Sequence, residues 1–165
     1  MKTDFIQKIK TLPALTLLVN DWKIQGNKIV FTNGCFDILH QGHVDYLQQA
    51  AQLGDRLIVA INSDESVSIL KGKHRPIQHQ ESRSHVVAAL GCVDAVIIFD
   101  ESTPLRLIQS LTPDVLAKGG DWQIDQIVGA DHVLAHGGEV RLISFISGHS
   151  TSLIEQKIIR DYENR

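Results

Sequence analysis

Cysteine is scarce in this chain of 165 residues, which contains only Cys35 and Cys92. The two residues form no CxxC pair and make no disulfide framework, which excludes a disulfide-stapled fold. The N-terminal segment MKTDFIQKIK also lacks a long apolar run, which predicts that it is neither a signal peptide nor a membrane span. These absences predict a cytoplasmic protein with reduced thiols.

A large excess of either charge is absent too. The formal net charge is −3, which indicates neither a nucleic-acid-binding surface nor a membrane-binding one. A strongly anionic ligand would therefore have to meet a local cluster of basic groups. The length fits one domain with its own core, and the apolar fraction of 43% and charged fraction of 21% are those of an ordinary globular protein. With no repeat or linker in the sequence, residues 1–165 are predicted to form a single domain.

Short apolar runs alternate with helical patterns along the chain. Strands are predicted at residues 28–32, 56–62, 94–99, 114–118 and 139–144. Helices are predicted at about residues 41–53, 64–70, 79–90 and 103–111, with a last one from about residue 150. This order predicts an α/β, Rossmann-like, doubly wound five-stranded parallel sheet with helices on both faces. Residues 28–160 would form the catalytic core. Residues 1–27 would be a helical extension that covers one face of the sheet or, as a second choice, contacts a partner in a homodimer.

The segment TNGCFDILHQGH, residues 32–43, joins the first predicted strand to the helix that follows it. A glycine turn ends the strand, and His40 and His43 come next with Gly42 between them. Ligands bind at the carboxyl edge of open α/β sheets, and the free N–H groups of a helix N-terminus attract phosphate. The two imidazoles are therefore predicted to donate hydrogen bonds to triphosphate oxygens, while Gly42 lets a nucleotide lie against the backbone.

The segment GCFDILHQGHVDYLQQA resembles the GxFDxxHxGH signature of the nucleotidyltransferase superfamily. The resemblance covers nearly all of residues 28–158 and continues through IVAINSDESVSILKGKHRPIQHQESR, VDAVIIFDESTP, PDVLAKGGDW and GHSTSLIEQKI. Within the superfamily, the combination of TNGCFD, LKGxxRP, PDVLxKGGD and GxST is most similar to the bacterial D-glycero-β-D-manno-heptose 1-phosphate adenylyltransferases. Those enzymes make ADP-heptose for the inner core of lipopolysaccharide. Many follow a sugar kinase domain in one chain, and because no kinase sequence precedes the motif here, the stand-alone form is expected.

The resemblance implies that AMP is transferred from ATP to the heptose 1-phosphate and that pyrophosphate is released. The attacking phosphate is already an anion, so it needs alignment and charge neutralisation rather than a base, and no covalent enzyme intermediate is implied. His40, His43 and Lys71 are the implied catalytic residues, with His43 nearer to the reacting phosphorus. Mg²⁺ is expected with ATP, bound mostly by phosphates and water, so no residue is assigned to a metal.

Three segments carry the nucleotide-binding residues that the resemblance implies. The glycine pair after the fourth strand allows backbone readout of adenine near Lys118 and Gly119, with Trp122 expected to pack beside it. The last helix, capped by Ser150 or Thr151, offers a hydroxyl and N–H groups to the β- and γ-phosphates. Asp37 would orient its loop or a metal-bound water, and Asp121 would bond a hydroxyl or cap the next helix. The full set is Asn33, Gly34, Cys35, Phe36, Asp37, His40, Gly42, His43, Lys118, Gly119, Asp121, Gly148, Ser150 and Thr151.

The basic loop KGKHRP, residues 71–76, is either a solvated turn or part of the site. By resemblance, Lys71 contacts the phosphates of both substrates, and Arg75 and Arg83 are further substrate-phosphate residues. One feature departs from the wider superfamily: Phe145 and His149 stand just before the last motif, where many members have an arginine. Heptose-type members share this departure, so it supports the subfamily assignment but removes one expected phosphate ligand.

Other interpretations stand beside the adenylyltransferase. A cytidylyltransferase for glycerol 3-phosphate or a similar alcohol phosphate is the close rival, because base choice depends on backbone contacts. A non-catalytic nucleotide-binding module is the rival of another class, although the motif residues are all present. A metal site at Cys35, His40 and His43 lacks a fourth ligand at a usual spacing. A class I aminoacyl-tRNA synthetase would need a lysine-rich KMSKS-type loop and a much larger tRNA-binding body.

Overall fold

The protein is built on one parallel sheet, seen in a computed structural model that describes residues 4–145 and 148–163. The five strands lie in the order β3-β2-β1-β4-β5. In chain order they are β1 (Ile29–Gly34), β2 (Arg56–Asn62), β3 (Ala95–Phe99), β4 (Val115–Gly119) and β5 (Glu139–Ile143). The predicted doubly wound five-stranded parallel sheet is therefore confirmed, with residues 1–3 of the predicted N-terminal extension outside the described residues.

Seven α-helices accompany these strands in the described part of the chain. They are α1 (Leu12–Ile24), α2 (Gln41–Ala51), α3 (Asp64–Lys71), α4 (Gln80–Ala88), α5 (Leu105–Leu111), α6 (Ala130–Ala135) and α7 (Thr151–Glu163). Two short 3-10 helices occur at Phe5–Lys8 and Ile124–Gln126. Between residues 4 and 145 and between 148 and 163, none of the helices combines the length and apolarity that crossing a bilayer requires.

Each face of the sheet has its own apolar core. Neighbouring strand residues point to opposite faces, so Val30 belongs to one core and Phe31 to the other. The Phe31 side is covered by α1, α5 and α6, and the Val30 side by α2 and α4. Because both faces are covered, the central strands are buried along nearly their whole length.

The N-terminal helix α1 covers one face of the sheet, as its apolar pattern predicts. Leu15, Val19 and Trp22 lie on one side of the helix and are buried in the Phe31 core. Pro13 stands in the first turn of the helix, where its missing N–H leaves no helical hydrogen bond unmade. The buried apolar residues of this helix are therefore used within the fold, whereas Leu17 and Ile24 are exposed, and the predicted homodimer contact stays a prediction.

The strands β1 and β4 are paired over a short distance only. β1 pairs with β2 over six residues, whereas its register with β4 consists of Val30 with Val115 and Phe31 with Leu116. Beyond Phe31 the two strands separate toward their carboxyl ends. The strand order also reverses here, because the chain winds from β1 to β3 in one direction and from β4 to β5 in the other. A ligand crevice is expected at such a switch point.

The sequence-based prediction of secondary structure missed one short helix and misplaced the ends of others. The helix α6 was missed because its six residues lie between Gly129 and Gly137, which leaves too few positions for a helical pattern to emerge. Pro104 was predicted inside the helix after β3, but it is the residue that precedes α5. The helix α2 ends at Ala51, slightly before the predicted stop.

Gly54 allows a close approach between two segments at the start of the sheet. A Cβ at this position would lie 2.6 Å from the carbonyl oxygen of Lys28, which is backbone and cannot rotate away. We therefore expect Gly54→Ala to lower the free energy of unfolding by about 1–3 kcal/mol, as overpacking does elsewhere. Chemical denaturation measures this change. The matched control is Gly91→Ala, where a Cβ would meet no atom within 4 Å. Equal stability of the two variants would contradict the prediction.

Candidate active site

The loop after β1 makes a strained turn at Phe36. The backbone φ angle of this residue is 48°, a positive value that residues other than glycine rarely adopt. Its ring folds back over the end of β1, so that a Cβ at Gly34 would lie 2.9 Å from a ring carbon. The ring is buried in the Val30 core, and this burial holds the strained backbone in place. The turn brings the chain to His40, which is the N-cap residue of α2.

His40 and His43 form a stacked pair at the N-terminus of α2. Their ring centroids are 3.9 Å apart with an interplanar angle of 25°, and the Phe36 ring lies 5.3 Å from that of His43. The Nδ1 atoms of both histidines are buried and have no hydrogen-bond partner in the described part of the structure. Buried polar atoms are normally paired, so these two nitrogens are candidates for hydrogen bonds with a polar ligand.

The environment keeps both imidazoles uncharged at neutral pH. Burial lowers the pKa of His43 to about 4, and repulsion from Lys71 and from His40, when that ring is protonated, acts in the same direction. Burial also lowers the pKa of His40, and His149 contributes to that shift. In the absence of ligand, each ring is therefore a neutral hydrogen-bonding group rather than a cation.

The space beside Gly42 is occupied by protein atoms. A Cβ on this buried residue would lie 3.1 Å from Cε1 of His40 and 3.2 Å from Cβ of His149. A nucleotide was predicted to occupy this space, whereas in the structure His40 and His149 occupy it. Direct contact between a nucleotide and Gly42 thus stays a prediction. The contact with His149 does bring the start of α7 next to the histidine pair.

Asp37 holds the loop after β1 to the loop before α4. Its carboxylate, 4% exposed, accepts hydrogen bonds from the backbone N–H groups of Ile77 and Gln78 at 2.9 Å and from Arg75 at 2.8 Å. Burial by itself would raise the pKa of Asp37, but the backbone bonds from Gln78 and Ile77 and the bond from Arg75 outweigh it and lower the pKa. The loop-orienting role considered for Asp37 agrees with these contacts.

The guanidinium groups of Arg75 and Arg83 form hydrogen bonds with other groups of the protein and, within the described residues, do not face a cavity. Arg75 joins Asp37 to Glu155 on α7. The Arg83 guanidinium is fully buried and has three protein partners. These partners are the carbonyl of Cys35 at 2.6 Å, the carbonyl of Gln78 at 2.9 Å and the carboxylate of Asp64 at 2.8 Å. Both arginines were predicted to contact a substrate phosphate, but here their donors are directed at the chain itself. Both therefore build the loops around the site.

A first cavity of about 320 Å³ opens at the carboxyl ends of β1 and β4. Seven of the nucleotide-binding residues predicted from the sequence line it: Asn33, Gly34, Cys35, Phe36, His43, Lys118 and Gly119. Four further lining residues were not in that set: Tyr46, Gly120, Trp122 and Phe145. Helical spacing could have identified Tyr46, because it follows His43 by three positions on the same helix.

Phe145 and Trp122 form an aromatic wall at the end of β4. A Cβ at Gly119 would overlap the Phe145 ring, which is 5.9 Å from the ring of Tyr46. Phe145 is 58% exposed and Trp122 is 46% exposed, so each presents apolar surface to the cavity. Trp122 also donates a hydrogen bond from Nε1 to the Gly119 carbonyl at 3.0 Å. Trp122 therefore contacts the backbone of the glycine pair and lines the cavity.

A second cavity of about 290 Å³ lies beside the first. The two cavities share Asn33, Lys118 and Trp122. The remaining wall of the second cavity combines the hydroxyl or amide groups of Asn62, Ser102, Thr103 and Gln126 with a larger apolar part, which consists of Leu70, Pro104, Leu116, Ile127 and Val128. Two adjoining cavities with a common wall provide room for two ligands in contact.

The other seven predicted nucleotide-binding residues line neither of these two cavities: Asp37, His40, Gly42, Asp121, Gly148, Ser150 and Thr151. Ser150 caps α7, since its Oγ accepts a hydrogen bond from the Leu153 N–H at 3.2 Å, and Thr151 is the first helical residue, one position after it. Gly148 has a φ of 83° and precedes this cap. Asp121 is exposed, and the residue that precedes the next short helix is Gln123, so the predicted capping role of Asp121 is not observed.

Cys35 lies in the cavity wall as a protonated thiol. Its Sγ is 3.9 Å from Oδ1 of Asn62, and burial raises its pKa despite the neighbouring positive charges of Lys71 and Arg83. A thiol with a raised pKa is a poor nucleophile. Among residues 4–145 and 148–163, no group of three or more His, Cys, Asp or Glu side chains is arranged to hold a metal ion. The described geometry therefore does not support the metal interpretation of the motif.

The fold and this site together define an α/β protein with a ligand crevice at its topological switch point. The family described as cytidylyltransferase-like matches residues 31–157 of the chain. The bifunctional protein HldE of Geobacter sulfurreducens is 50% identical over 155 residues, which are 94% of this chain and 32% of that protein. The protein of the same name from Azotobacter vinelandii is 58% identical over 149 residues, 90% of this chain and 31% of that protein. The chain spans about a third of the length of these curated relatives.

A solved structure supports the same assignment. The lipopolysaccharide core biosynthesis protein from Thermoplasma volcanium has a TM-score of 0.59 and 29% sequence identity. The similarity covers 73% of this chain and 98% of that one. The chain belongs to the cytidylyltransferase-like family, and it is a nucleotidyltransferase.

Because the pKa of His43 is low, the free energy of unfolding is expected to depend on pH. The pKa is about 4 in the folded state and about 6.5 in an unfolded chain, so between these values the unfolded chain binds more protons. We expect the free energy of unfolding of the ligand-free protein to fall as the pH is lowered from 6.5 toward 4. Urea titrations across this range measure the slope, and His43→Asn should flatten it.

The matched control for the pH experiment is His74→Asn, which replaces an exposed histidine outside both cavities. This variant should keep the wild-type slope. A wild-type slope in His43→Asn would contradict the assignment of the effect to His43.

Proposed function

We propose that this nucleotidyltransferase transfers AMP from ATP to D-glycero-β-D-manno-heptose 1-phosphate, giving ADP-heptose and pyrophosphate for lipopolysaccharide core biosynthesis. The observation that carries the proposal is the pair of cavities that share Asn33, Lys118 and Trp122, with His43 lining the first. Group transfer between two bound substrates requires adjoining sites with a common boundary, because the reacting atoms must approach to about 3–3.5 Å.

The first cavity is the site proposed for ATP. Its aromatic residues and the backbone at Gly119 and Gly120 suit a flat base, and Phe145 and Trp122 offer surfaces for stacking. The histidine pair and the N-terminus of α7 are proposed to bind the triphosphate. This helix begins at Thr151, and the N–H groups of a helix's first turn, which have no partner within the helix, can bind phosphate.

The second cavity is the site proposed for the sugar phosphate. The side chains of Asn62, Ser102, Thr103 and Gln126 supply amide and hydroxyl groups that can bind sugar hydroxyls. The relatives favour a heptose substrate, since two are named bifunctional protein HldE and the solved structure is that of a lipopolysaccharide core biosynthesis protein. The likeness to HldE extends over one part of that protein only, so its second activity is not included in the proposal.

The proposed reaction is a direct displacement at phosphorus. A phosphate oxygen of the sugar phosphate attacks the α-phosphorus of ATP, the bond to the β-phosphate breaks, and pyrophosphate leaves with the electron pair. His40 and His43, neutral before binding, donate hydrogen bonds to phosphate oxygens and hold the triphosphate in line. The thiol of Cys35 stays protonated, and no covalent intermediate on the enzyme is needed.

We propose that Mg²⁺ accompanies ATP and is coordinated by phosphate oxygens and water. Asp37, the acidic side chain of the motif, does not fit a ligand role, because its oxygens already accept hydrogen bonds from Ile77, Gln78 and Arg75. When bound, the ion would neutralise charge on the triphosphate.

The alternative substrates are CTP and glycerol 3-phosphate or a similar alcohol phosphate. The family description favours cytidylyl transfer, and the glycine backbone beside the first cavity does not by itself select adenine. Pyrophosphate release should be measured with Mg²⁺, crossing ATP and CTP against heptose 1-phosphate and glycerol 3-phosphate. Release only with ATP and the heptose would support the proposal, and release with CTP would overturn the base assignment. A folded protein that binds ATP but is silent in every combination would be a non-catalytic module.

We expect His43→Ala to lower kcat by at least about 10²-fold, the typical effect of removing one transition-state hydrogen-bond donor. The ring lines the first cavity, so the variant should stay folded, and its melting temperature should remain near that of the wild type. Turnover and thermal unfolding are measured on the same preparation, with His74→Ala as an exposed control. A large drop in melting temperature with unchanged activity per folded molecule would contradict this role.

We expect Lys71→Ala to raise the KM for the sugar phosphate more than the Kd for ATP. Lys71 is the exposed last residue of α3 and follows Leu70, which lines the second cavity. Its positive charge also acts on His43 and Cys35 in the first cavity, so a smaller loss of ATP binding is expected as well. Lys73→Ala, an exposed change in the same loop, is the control for a general loss of charge. An equal loss for both ligands would mean that Lys71 serves the nucleotide instead.

A further inference from the structure

We infer that Lys118 is a catalytic residue whose ammonium group binds the phosphate oxygens at the point where the two substrates meet. This inference rests on the proposed function and adds a role for the side chain. From the sequence, Lys118 was predicted to contact the nucleotide through its backbone, beside the base. The structure indicates a role for the side chain, because the Lys118 ammonium group lies beside Asn33 at the wall that the two cavities share.

The position of Lys118 follows from the separation of β1 and β4. The register between these strands ends with Phe31 and Leu116, and Lys118 lies two residues further along β4. Its Nζ donates a hydrogen bond at 3.1 Å to Oδ1 of Asn33, near the end of β1. The side chain therefore spans the opening between the strands, and both residues line both cavities.

Lys118 differs from the other buried cations of the site in its partner. Arg83 is paired with Asp64, and Arg75 is paired with two carboxylates. Within residues 4–145 and 148–163, the hydrogen-bond partner of the half-buried Lys118 ammonium is the neutral Asn33 amide oxygen. Burial accordingly lowers the pKa of Lys118. A half-buried cation without a counter-ion is costly, and a bound anion would offset that cost.

The shared wall of the cavities is where negative charge accumulates during the reaction. The attacking phosphate and the α-phosphate are both anionic, and they must approach each other at the boundary between the two sites. A cation fixed at that boundary is attracted most strongly when the two groups are closest, which is in the transition state. Lys118 is therefore expected to raise kcat more than it strengthens ATP binding, with Asn33 positioning its ammonium group.

The test compares Lys118→Met, Lys118→Arg and a control, Lys28→Met. Lys28 forms an exposed ion pair with Glu139, at the opposite edge of the sheet from the cavities. We expect Lys118→Met to lower kcat by about 10²–10³-fold and to change the Kd for ATP by less than about tenfold. Its melting temperature should be no lower than that of the wild type, because the variant removes a half-buried cation that has no carboxylate partner. Lys118→Arg should recover part of the lost kcat, and Lys28→Met should match the wild type.

Two results would overturn the inference. If Lys118→Met raises the Kd for ATP as much as it lowers kcat/KM while kcat is unchanged, the lysine only contributes to nucleotide binding. If it lowers the melting temperature strongly and the surviving folded enzyme turns over normally, its role is structural. The pH profile of kcat gives an independent check, since an alkaline limb that depends on Lys118 should be absent in Lys118→Arg.

The wild-type assay separates this inference from the proposed function. Release of pyrophosphate with ATP and the heptose 1-phosphate supports both. Release only with CTP and glycerol 3-phosphate overturns the proposed substrates, and the Lys118 variants are then compared on that pair with the same expected pattern. No release with any pair overturns both.

Discussion

The separation of β1 from β4 is the constraint on which the site depends. The two strands are paired at Val30–Val115 and Phe31–Leu116 and then diverge, because the chain winds away from them in opposite directions. The ends of both strands consequently border open space, and loops from both halves of the sheet surround it. Both cavities and the bridge from Lys118 to Asn33 are consequences of this one topological feature.

The charges around the crevice divide into two groups. Arg75 and Arg83 are paired with carboxylates and bind the loops to each other and, through Glu155, to α7. Lys118 is held by an amide oxygen, and the two stacked histidines are kept neutral by burial. The paired arginines build a rigid frame, whereas the groups without a counter-ion are the ones suited to a polyanionic ligand. A chain with a net charge of −3 can in this way offer a local phosphate site.

Local patterns predicted much of the fold and part of the site. The bounds of β2 were predicted correctly because a strand buried on both faces is one continuous apolar run. The place of His40 and His43 at a helix N-terminus was also predicted, since a strand, a glycine turn and a helical pattern succeed one another within a few residues. Arg83 shows the limit of such reasoning. A helical arginine has the same sequence pattern whether it binds a substrate or, as here, the carbonyls of its own chain.

The sequence by itself determined the strand order along the chain, the parallel α/β class and the residues of the motif after β1, because each depends on neighbours within one or two elements. Only the tertiary structure decided which distant side chains share a cavity. Phe145 lies against Gly119 and Tyr46, and Lys118 reaches Asn33, across separations of 26 to 99 residues. Such contacts depend on how strands and helices pack in three dimensions, and periodicity along the chain carries no information about them.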